Sequence, residues 1–430
     1  MRDKDMPPPA LDVDTALART RDVARVVAAT ELLPLTQAVG RFLARDATAL
    51  ADLPPFDNAA MDGYALRHAD LPYLALNGMG VWDEWQAGDT PTPLAELHAA
   101  KIMTGAPLPA GADCVIRQED AGITLVSWGD PPSPDFAMKS PQLLSWWAKD
   151  QVVHPFHNVR RRGEDVAAGA VILKAGQLLT PERLGLLAGA GLSHVPVWQK
   201  VRVGMFSTGN ELADTGALLG AGQIYNSNRV MIAAALALPW VTLTDYGILP
   251  DDNQAITAAL ARAEAENDVI ITSGGMSVGT ADHMLDSLAR RGAELAVLKI
   301  AMRPGKPLAV ARLGEALFIG LPGNPFAALV TFNQIALPVL RHVAGASEQP
   351  DSLIAAVADF DYPRSAQRRE YLPVTWEGRD ELGRPVLQML GKGASARLSP
   401  PARAKGIAIL PEGLERVEKG AALMVAPLPR

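Results

Sequence analysis

Val201-Arg202-Val203-Gly204-Met205-Phe206-Ser207-Thr208-Gly209 sets a pattern that recurs twice downstream: an apolar run that reads as a buried strand, ending in a Gly-rich loop. Asp268–Thr272 leads into Ser273-Gly274-Gly275, and Ala316–Gly320 leads into Leu321-Pro322-Gly323-Asn324-Pro325. In an open parallel sheet, ligands gather outside the carboxyl ends of the strands, where glycines admit the backbone closely and helix N-termini offer free N–H groups. Three such loops on one edge point to a phosphorylated, nucleotide-like substrate.

Around these loops, strands alternate with helices from Lys200 to about Val343. The strands are read over Val201–Phe206, Val241–Asp245, Asp268–Thr272, Leu295–Met302, Leu308–Arg312 and Ala316–Gly320, with the two at Leu295–Met302 and Leu308–Arg312 forming a hairpin. The helices are read over Asn228–Leu238, Asp252–Glu266, Asp282–Arg291 and Pro325–Val343. This order predicts a doubly wound α/β domain spanning 200–345. Upstream, 11–50 carries helical apolar spacing, and 171–198 resumes it with a helix opening at Thr180-Pro181-Glu182. The two stretches form a discontinuous helical N-terminal region, 1–50 plus 166–199. Between them, 51–165 breaks into short strands punctuated by Pro and Gly, a β-rich domain in which 128–155 reads as an irregular excursion. From 346 to 430, short apolar strands and turns predict a small β-barrel or sandwich. The fold class is therefore multidomain, α/β plus β.

The chain has 430 residues, 48% of them hydrophobic, enough to bury more than one core. Its net charge of −7 argues against nonspecific nucleic-acid binding, so the clusters Arg160-Arg161-Arg162 and Arg368-Arg369 are local features. The single cysteine, Cys114, excludes a disulfide framework and suits a cytoplasmic location. The N-terminus lacks the apolar core of a secretory signal, and Val230–Val241, broken by Pro239, is too short to cross a bilayer. No membrane role is expected.

Candidate chemistry concentrates at the loops. Asn324 is expected to cap the helix that opens at Pro325. The second loop continues through Ser277 to Asp282, whose carboxylate suits a hydrated Mg²⁺ beside phosphates, as does Glu211 just past Gly209. Asn226 opens the following helix. Arg303-Pro304-Gly305-Lys306 sets two cations across a stiff turn, an arrangement suited to a compact oxyanion. In the β-rich domain, Asp57 and Asp62 lie in a stretch too irregular to be purely core. Zinc-type Cys/His clusters, a G-x-S-x-G elbow, a Walker loop and a dinucleotide G-x-G-x-x-G are all missing from the sequence.

Met61-Asp62-Gly63-Tyr64-Ala65, Met103-Thr104-Gly105-Ala106-Pro107-Leu108-Pro109, Arg161-Arg162-Gly163-Glu164-Asp165, Phe206–Leu212, Ser273–Gly279, Pro304-Gly305-Lys306-Pro307 and Leu321–Pro325 occur in one order over nearly the whole chain. Together they resemble the molybdopterin molybdenumtransferase family, which includes the E domain of gephyrin. The resemblance implies a four-domain homodimer that inserts molybdate into adenylylated molybdopterin and releases AMP, with Mg²⁺ required. It implies further contacts with other cofactor-biosynthesis proteins and recipient molybdoenzymes. It also implies a site shared between subunits, with Asp62, Thr104 and Arg160 of one facing Glu211, Asp282, Arg303, Lys306 and Ser395 of the other. Of these, Asp62, Thr104, Glu211, Asp282, Arg303 and Lys306 would act on substrate directly, Glu211 and Asp282 through the metal. Arg160, Asp165, Ser207, Thr208, Gly209, Asn226, Ser273, Gly274, Gly275, Ser277, Pro322, Gly323, Asn324 and Ser395 would bind the pterin nucleotide. The N-terminal helices are expected to need the partner subunit to bury their apolar face.

Some positions depart from the family pattern. Asn226 stands where Asp is usual, Arg303 where Lys is common, Ala327 where Ser is usual, and Pro373 where an Arg is expected. Arg369, four residues earlier, is the nearest candidate to take that Arg's place. Two other readings stay open: a molybdopterin adenylyltransferase, which resembles only the α/β portion and carries Gly-Gly-Thr-Gly where this chain has Gly274-Gly275-Met276-Ser277, and a catalytically weak molybdopterin-binding scaffold.

Overall fold

The computed structural model describes residues 10–27, 29–125, 142–146, 152–274, 283–347, 353–391 and 395–428. At its centre is a six-stranded sheet in the order Val241–Leu249, Val201–Thr208, Val269–Ser273, Ala316–Leu321, Pro307–Leu313, Glu294–Lys299. The first four strands are parallel, Pro307–Leu313 runs antiparallel to them, and Glu294–Lys299 pairs antiparallel with it as the expected hairpin. Both faces are covered, which is why these strands read as continuous apolar runs. Val203, Met205, Ile271 and Ile319 face a cluster shared with the helices Ser227–Ala235 and Pro325–Thr331. Phe206, Ile270 and Phe318 face the opposite one, with Asn253–Glu266 and His283–Arg290. Pro325–Val343 is long and apolar enough to cross a membrane, but its most apolar window is 61% buried in the fold.

The N-terminal region differs from its reading. Among the described residues of 11–50, the α-helix is confined to Val13–Val23, capped by Asp12, whose Oδ1 accepts from Thr15 N at 2.8 Å, with a single 3-10 turn at Leu35–Gln37. The chain then turns to strand: Thr30–Pro34 pairs with His194–Trp198, and Ala47–Thr48 with Val171–Leu173. Pro34 cannot continue a helix. The Thr180-Pro181 start is as expected, with a helix over Pro181–Gly189. The apolar face of Val13–Val23 also needs no second subunit. Val13 and Ala16 are buried in the α/β unit's own core, and Leu11 exchanges backbone hydrogen bonds with Lys299 and Ala301.

The β-rich unit is a six-stranded sheet ordered Cys114–Arg117, Gly63–Leu66, His98–Ile102, Met79–Trp85, Gln142–Trp146, Ala121–Leu125. Gln142–Trp146 thus forms a strand inside the stretch read as an irregular excursion; 126–141 and 147–151 lie outside the described residues. The C-terminal strands Ile354–Ala358, Arg369–Thr375, Val386–Met389, Gly406–Leu410 and Ala422–Pro427 close into a small barrel through pairing of Arg369–Thr375 with Gly406–Leu410. Met302–Arg303, leaving the central sheet, adds to the barrel in parallel with Arg369–Glu370.

Phe42 ties the N-terminal region to the α/β unit: it is 6% exposed and its ring lies 5.5 Å from that of Trp240. Truncating a buried aromatic costs about 3–5 kcal/mol. Phe42→Ala is expected to lower unfolding stability by about that amount in chemical denaturation. An unchanged midpoint would mean that this joint lies outside the cooperative unit.

Candidate active site at the carboxyl edge of the central sheet

The three Gly-rich loops do meet. The register sets Ser207 opposite Ser273 and Ser273 opposite Leu321, and the two serine hydroxyls are 3.0 Å apart. Gly274 adopts φ +90°, and a Cβ there would sit 2.4 Å from Thr208 O, so only glycine lets these strand ends close up. Asn228 Nδ2 donates to Gly323 O at 2.7 Å, tying the helix after the first loop to the third loop. The Thr208 hydroxyl is buried with no hydrogen-bond partner among the described residues. Gly275, Ser277 and Asp282 lie outside the described residues.

Asn324 behaves differently from its expected role. It occupies the cap position, but its Nδ2 donates to Ser395 Oγ at 3.3 Å. The reason lies in the barrel: Ser395 O accepts from Phe326 N at 3.0 Å, satisfying one of the helix-opening N–H groups from outside. Asn226 does cap. Its Oδ1 accepts from Arg229 N at 3.1 Å, and the side chain is buried.

The cationic turn arrives at the same edge. Ala309 pairs with Gly320 in the antiparallel return, which carries Pro307 to the level of Pro322. Arg303 and Lys306 are exposed while Pro304 and Gly305 are buried. Gly305 has φ +112°, and a Cβ there would meet Thr331 Oγ1 at 2.5 Å, so the turn is pressed against the helix that follows the third loop. Arg303 Nη1 lies 3.3 Å from Glu370 Oε1 in the barrel. Among the described residues no carboxylate pairs with Lys306.

Acidic groups line the same edge. The Glu211 carboxylate lies over Gly209, whose Cβ position is 2.6 Å from Glu211 Oε2. Asp251 was missed by sequence reading. The strand expected to stop at Asp245 runs on to Leu249 through an irregular register, which brings Asp251 to the carboxyl edge. There Asp251 Oδ2 accepts from Asn210 N and Asp251 N donates to Asn210 Oδ1, each at 3.2 Å. Glu370 was missed as well, because no spacing in the chain signals a contact between the barrel and a turn some 65 residues earlier. No group of three His, Cys, Asp or Glu side chains suited to a metal occurs among the described residues.

Asp62, Thr104, Arg160 and Asp165 belong to the β-rich part of the chain: Asp62 and Thr104 lie in turns beside the strands Gly63–Leu66 and His98–Ile102, Arg160 in the short ladder of Val159–Arg160 with Asn58–Ala59, and Asp165 in a bend beyond it. Asp62 Oδ1 accepts from Thr104 N at 2.8 Å and from Thr104 Oγ1 at 2.7 Å. Arg160 Nε donates to Glu164 Oε1 at 2.8 Å, and its backbone pairs with Asn58. Asp165 is exposed and anchored by its own N–H to Leu53 O at 3.0 Å. Arg369 is not free to stand in for an Arg at 373: it makes a two-pronged pair with Asp14 at 3.0 and 2.7 Å and reaches Glu412 at 3.3 Å.

The Thr104 N–H and hydroxyl hold the Asp62 carboxyl below its ordinary value of 3.8. Thr104→Ala leaves only the N–H, so the Asp62 pKa is expected to rise toward that value in a carboxylate NMR titration. Because the folded-state pKa is depressed, the stabilisation is present above the unfolded value and is lost as pH falls through the folded one. The variant should therefore differ from wild type at neutral pH and converge with it in strong acid. An unmoved Asp62 titration would remove the hydroxyl from this pair.

Comparison with known proteins bears on the whole chain. The MoeA N-terminal region (domain I and II) matches residues 11–191, a probable molybdopterin binding domain matches 204–342, and the MoeA C-terminal region (domain IV) matches 355–428. Molybdopterin molybdenumtransferase 2 of Mycobacterium tuberculosis is 36% identical over 408 residues, 91% of this chain and 94% of that protein. The molybdopterin molybdenumtransferase of Haemophilus influenzae is 34% identical over 373 residues, 84% of this chain and 85% of that protein. The crystal structure of a molybdopterin biosynthesis MoeA protein from Pyrococcus horikoshii OT3 matches with a TM-score of 0.80 at 26% identity, covering 98% of this chain and 100% of that one. With this identity held over nine-tenths of its length, the chain belongs to the molybdopterin molybdenumtransferase family and is a transferase of molybdenum cofactor biosynthesis.

Proposed function

We propose that the enzyme inserts molybdate into adenylylated molybdopterin with release of AMP, at the carboxyl edge of the central sheet. The observation that carries this reading is the meeting, at one edge, of three Gly-rich strand ends with the Arg303–Lys306 turn. The pterin nucleotide would lie along Ser207, Thr208, Gly209, Ser273, Gly274 and the Pro322-Gly323-Asn324 loop, with Gly275, Ser277 and Ser395 extending the cradle and Asn226 supporting it from the helix start. Its phosphates need close backbone approach, which these glycines allow. Molybdate is a tetrahedral dianion, and Arg303 and Lys306 would hold it. The chemistry is positioning and electrostatics: fixed cations stabilise the charge that develops as the phosphoanhydride is cleaved.

Glu211, with Asp282, would hold Mg²⁺. The donor chemistry fits, since Glu211 and Asp251 are exposed oxygen donors with no ion-pair partner among the described residues. Mg²⁺ takes one or two carboxylates and otherwise keeps water or phosphate oxygens. When bound it would supply charge neutralisation at the phosphates. We place the enzyme in the cytoplasm. Cys114 is compatible with that compartment, a buried free thiol whose burial pushes its pKa up to about 12.

The reading makes the working form a homodimer, with Asp62, Thr104, Arg160 and Asp165 of one subunit completing the edge of the other. Their position in turns and a short ladder, none of them part of the central sheet, is what supports a shared site. Sedimentation is expected to show a dimer at micromolar concentration; monomer alone under those conditions counts against the shared site.

The direct experiment measures AMP release from adenylylated molybdopterin with and without molybdate, and after chelation of Mg²⁺. Release that depends on both supports the reading, and release indifferent to molybdate overturns it. Lys306→Ala is expected to raise half-saturation by molybdate about ten- to a hundredfold, the equivalent of a lost charge-assisted bond, with pterin affinity by calorimetry little changed. Arg303→Lys should be milder. Equal losses in both affinities would move the oxyanion away from this turn.

A further inference from the structure

We infer that Glu370, inside the C-terminal barrel, is a positioning residue that aims Arg303 at the oxyanion, an inference that rests on the reading of the Arg303–Lys306 turn as the oxyanion site. Glu370 is 2% exposed, yet it carries a carboxylate. Its Oε1 accepts from Tyr362 OH at 2.7 Å and lies 3.3 Å from Arg303 Nη1; its Oε2 lies 3.2 Å from Arg364 Nε. Arg364 is itself fully buried and donates to Pro411 O at 2.6 Å and to Arg368 O. The backbone joins the same partners, with Arg303 opposite Glu370 in parallel register and Arg369 N donating to Ala301 O at 3.0 Å.

Burying a carboxylate is unfavourable unless charge and hydrogen bonds compensate it. Here two guanidiniums and a phenol do so. Of the three charged groups involved, two guanidiniums and one carboxylate, only Arg303 reaches outward, with half of its side chain exposed. A guanidinium has five N–H donors in a rigid fork, so one edge can rest on Glu370 while the others remain for an anion. Tyr362 stays a donor throughout the working range, because burial and the hydrogen bond to Glu370 push its pKa up to about 12. The turn thus presents two unequal cations. Lys306 supplies a charge on a flexible stem, and Arg303 supplies a charge in a fixed direction. A cation held in place before binding loses less freedom when the anion arrives.

The test uses variants that keep the charge and change only the hold on Arg303. Glu370→Asp shortens the arm by one CH₂, and Tyr362→Phe removes the neighbouring donor; the second serves if the first does not fold. Each is expected to raise half-saturation by molybdate about three- to tenfold, the range of one hydrogen bond, with KM for the pterin nucleotide unchanged. In an Arg303→Met background the same substitutions should add nothing further, since their effect passes through Arg303. Additive losses, or an equal rise in the pterin KM, overturn the inference. Lys306→Ala separates it from the reading beneath it. No change in molybdate use for Lys306→Ala sinks both, whereas a rise for Lys306→Ala with none for Glu370→Asp or Tyr362→Phe sinks the positioning role alone.

Discussion

The level ending of the parallel strands is the constraint on which the site depends. Ser207, Ser273 and Leu321 lie side by side across three strands, so the loops that follow them emerge together. The antiparallel return through Pro307–Leu313 then brings the cationic turn back to the same edge. A slip of one residue in any of these pairings would turn every side chain to the opposite face. The apolar filling on both faces forbids that slip, with Met205 and Ile271 packed on one side and Phe206 and Ile270 on the other. Core packing therefore fixes the spacing of the loops.

The barrel contributes in a second way. It touches the edge at two points, through Ser395 at the start of the helix Pro325–Thr331 and through Glu370 at Arg303. Arg369 joins the barrel to the N-terminal helix through Asp14, and the same helix is buried in the α/β core. The three parts are linked around one edge. The Asp14 side of that ion pair is largely exposed, so its strength is modest and screened by salt, and the packing of Val13 and Ala16 is the firmer bond.

The central sheet was legible in the sequence because strands buried on both faces leave continuous apolar runs, and glycine marks their ends. The helix at Thr180-Pro181 was legible from its cap and its proline. Other features carried weaker signals. Apolar spacing that supports a helix over Val13–Val23 continues by chance into Val26, but Thr30–Pro34 is a strand because His194–Trp198 offers it a partner far along the chain. Asp251 escaped notice because Tyr246-Gly247 interrupts the apolar run, although the strand continues through a bulge to Leu249. Asn324 was assigned a local cap, and a distant carbonyl, that of Ser395, supplanted it. In each case a contact distant in sequence overrode the local pattern. The same limit hid Glu370, a residue whose own strand gives no hint that its carboxylate meets Arg303.

The departures from the family pattern bear on where the positive charge of the edge resides. Asn226 caps its helix with Oδ1, an atom Asp also offers, so the exchange leaves the helix start intact. Ala327 is buried at 3% exposure, away from solvent. Pro373 sits within the strand Arg369–Thr375, where its carbonyl accepts from Leu390 N at 2.9 Å. Leu390 lies just past the end of the neighbouring strand Val386–Met389, so proline falls at the margin of that pairing, where the loss of its N–H is least felt, while on the other side it pairs with Ile407. Against the Arg that the family resemblance leads one to expect, Pro373 would leave the barrel one cation short. Arg369 cannot restore it, because its guanidinium is held between Asp14 and Glu412, hydrogen bonds that raise its pKa still further. On the proposed reading, the load on Arg303 and Lys306 would be correspondingly larger. A buried carboxylate that keeps Arg303 pointed outward would then have a direct physical rationale: if the proposed edge holds a small dianion with one cation fewer, the orientation of those that remain would govern how firmly it is held.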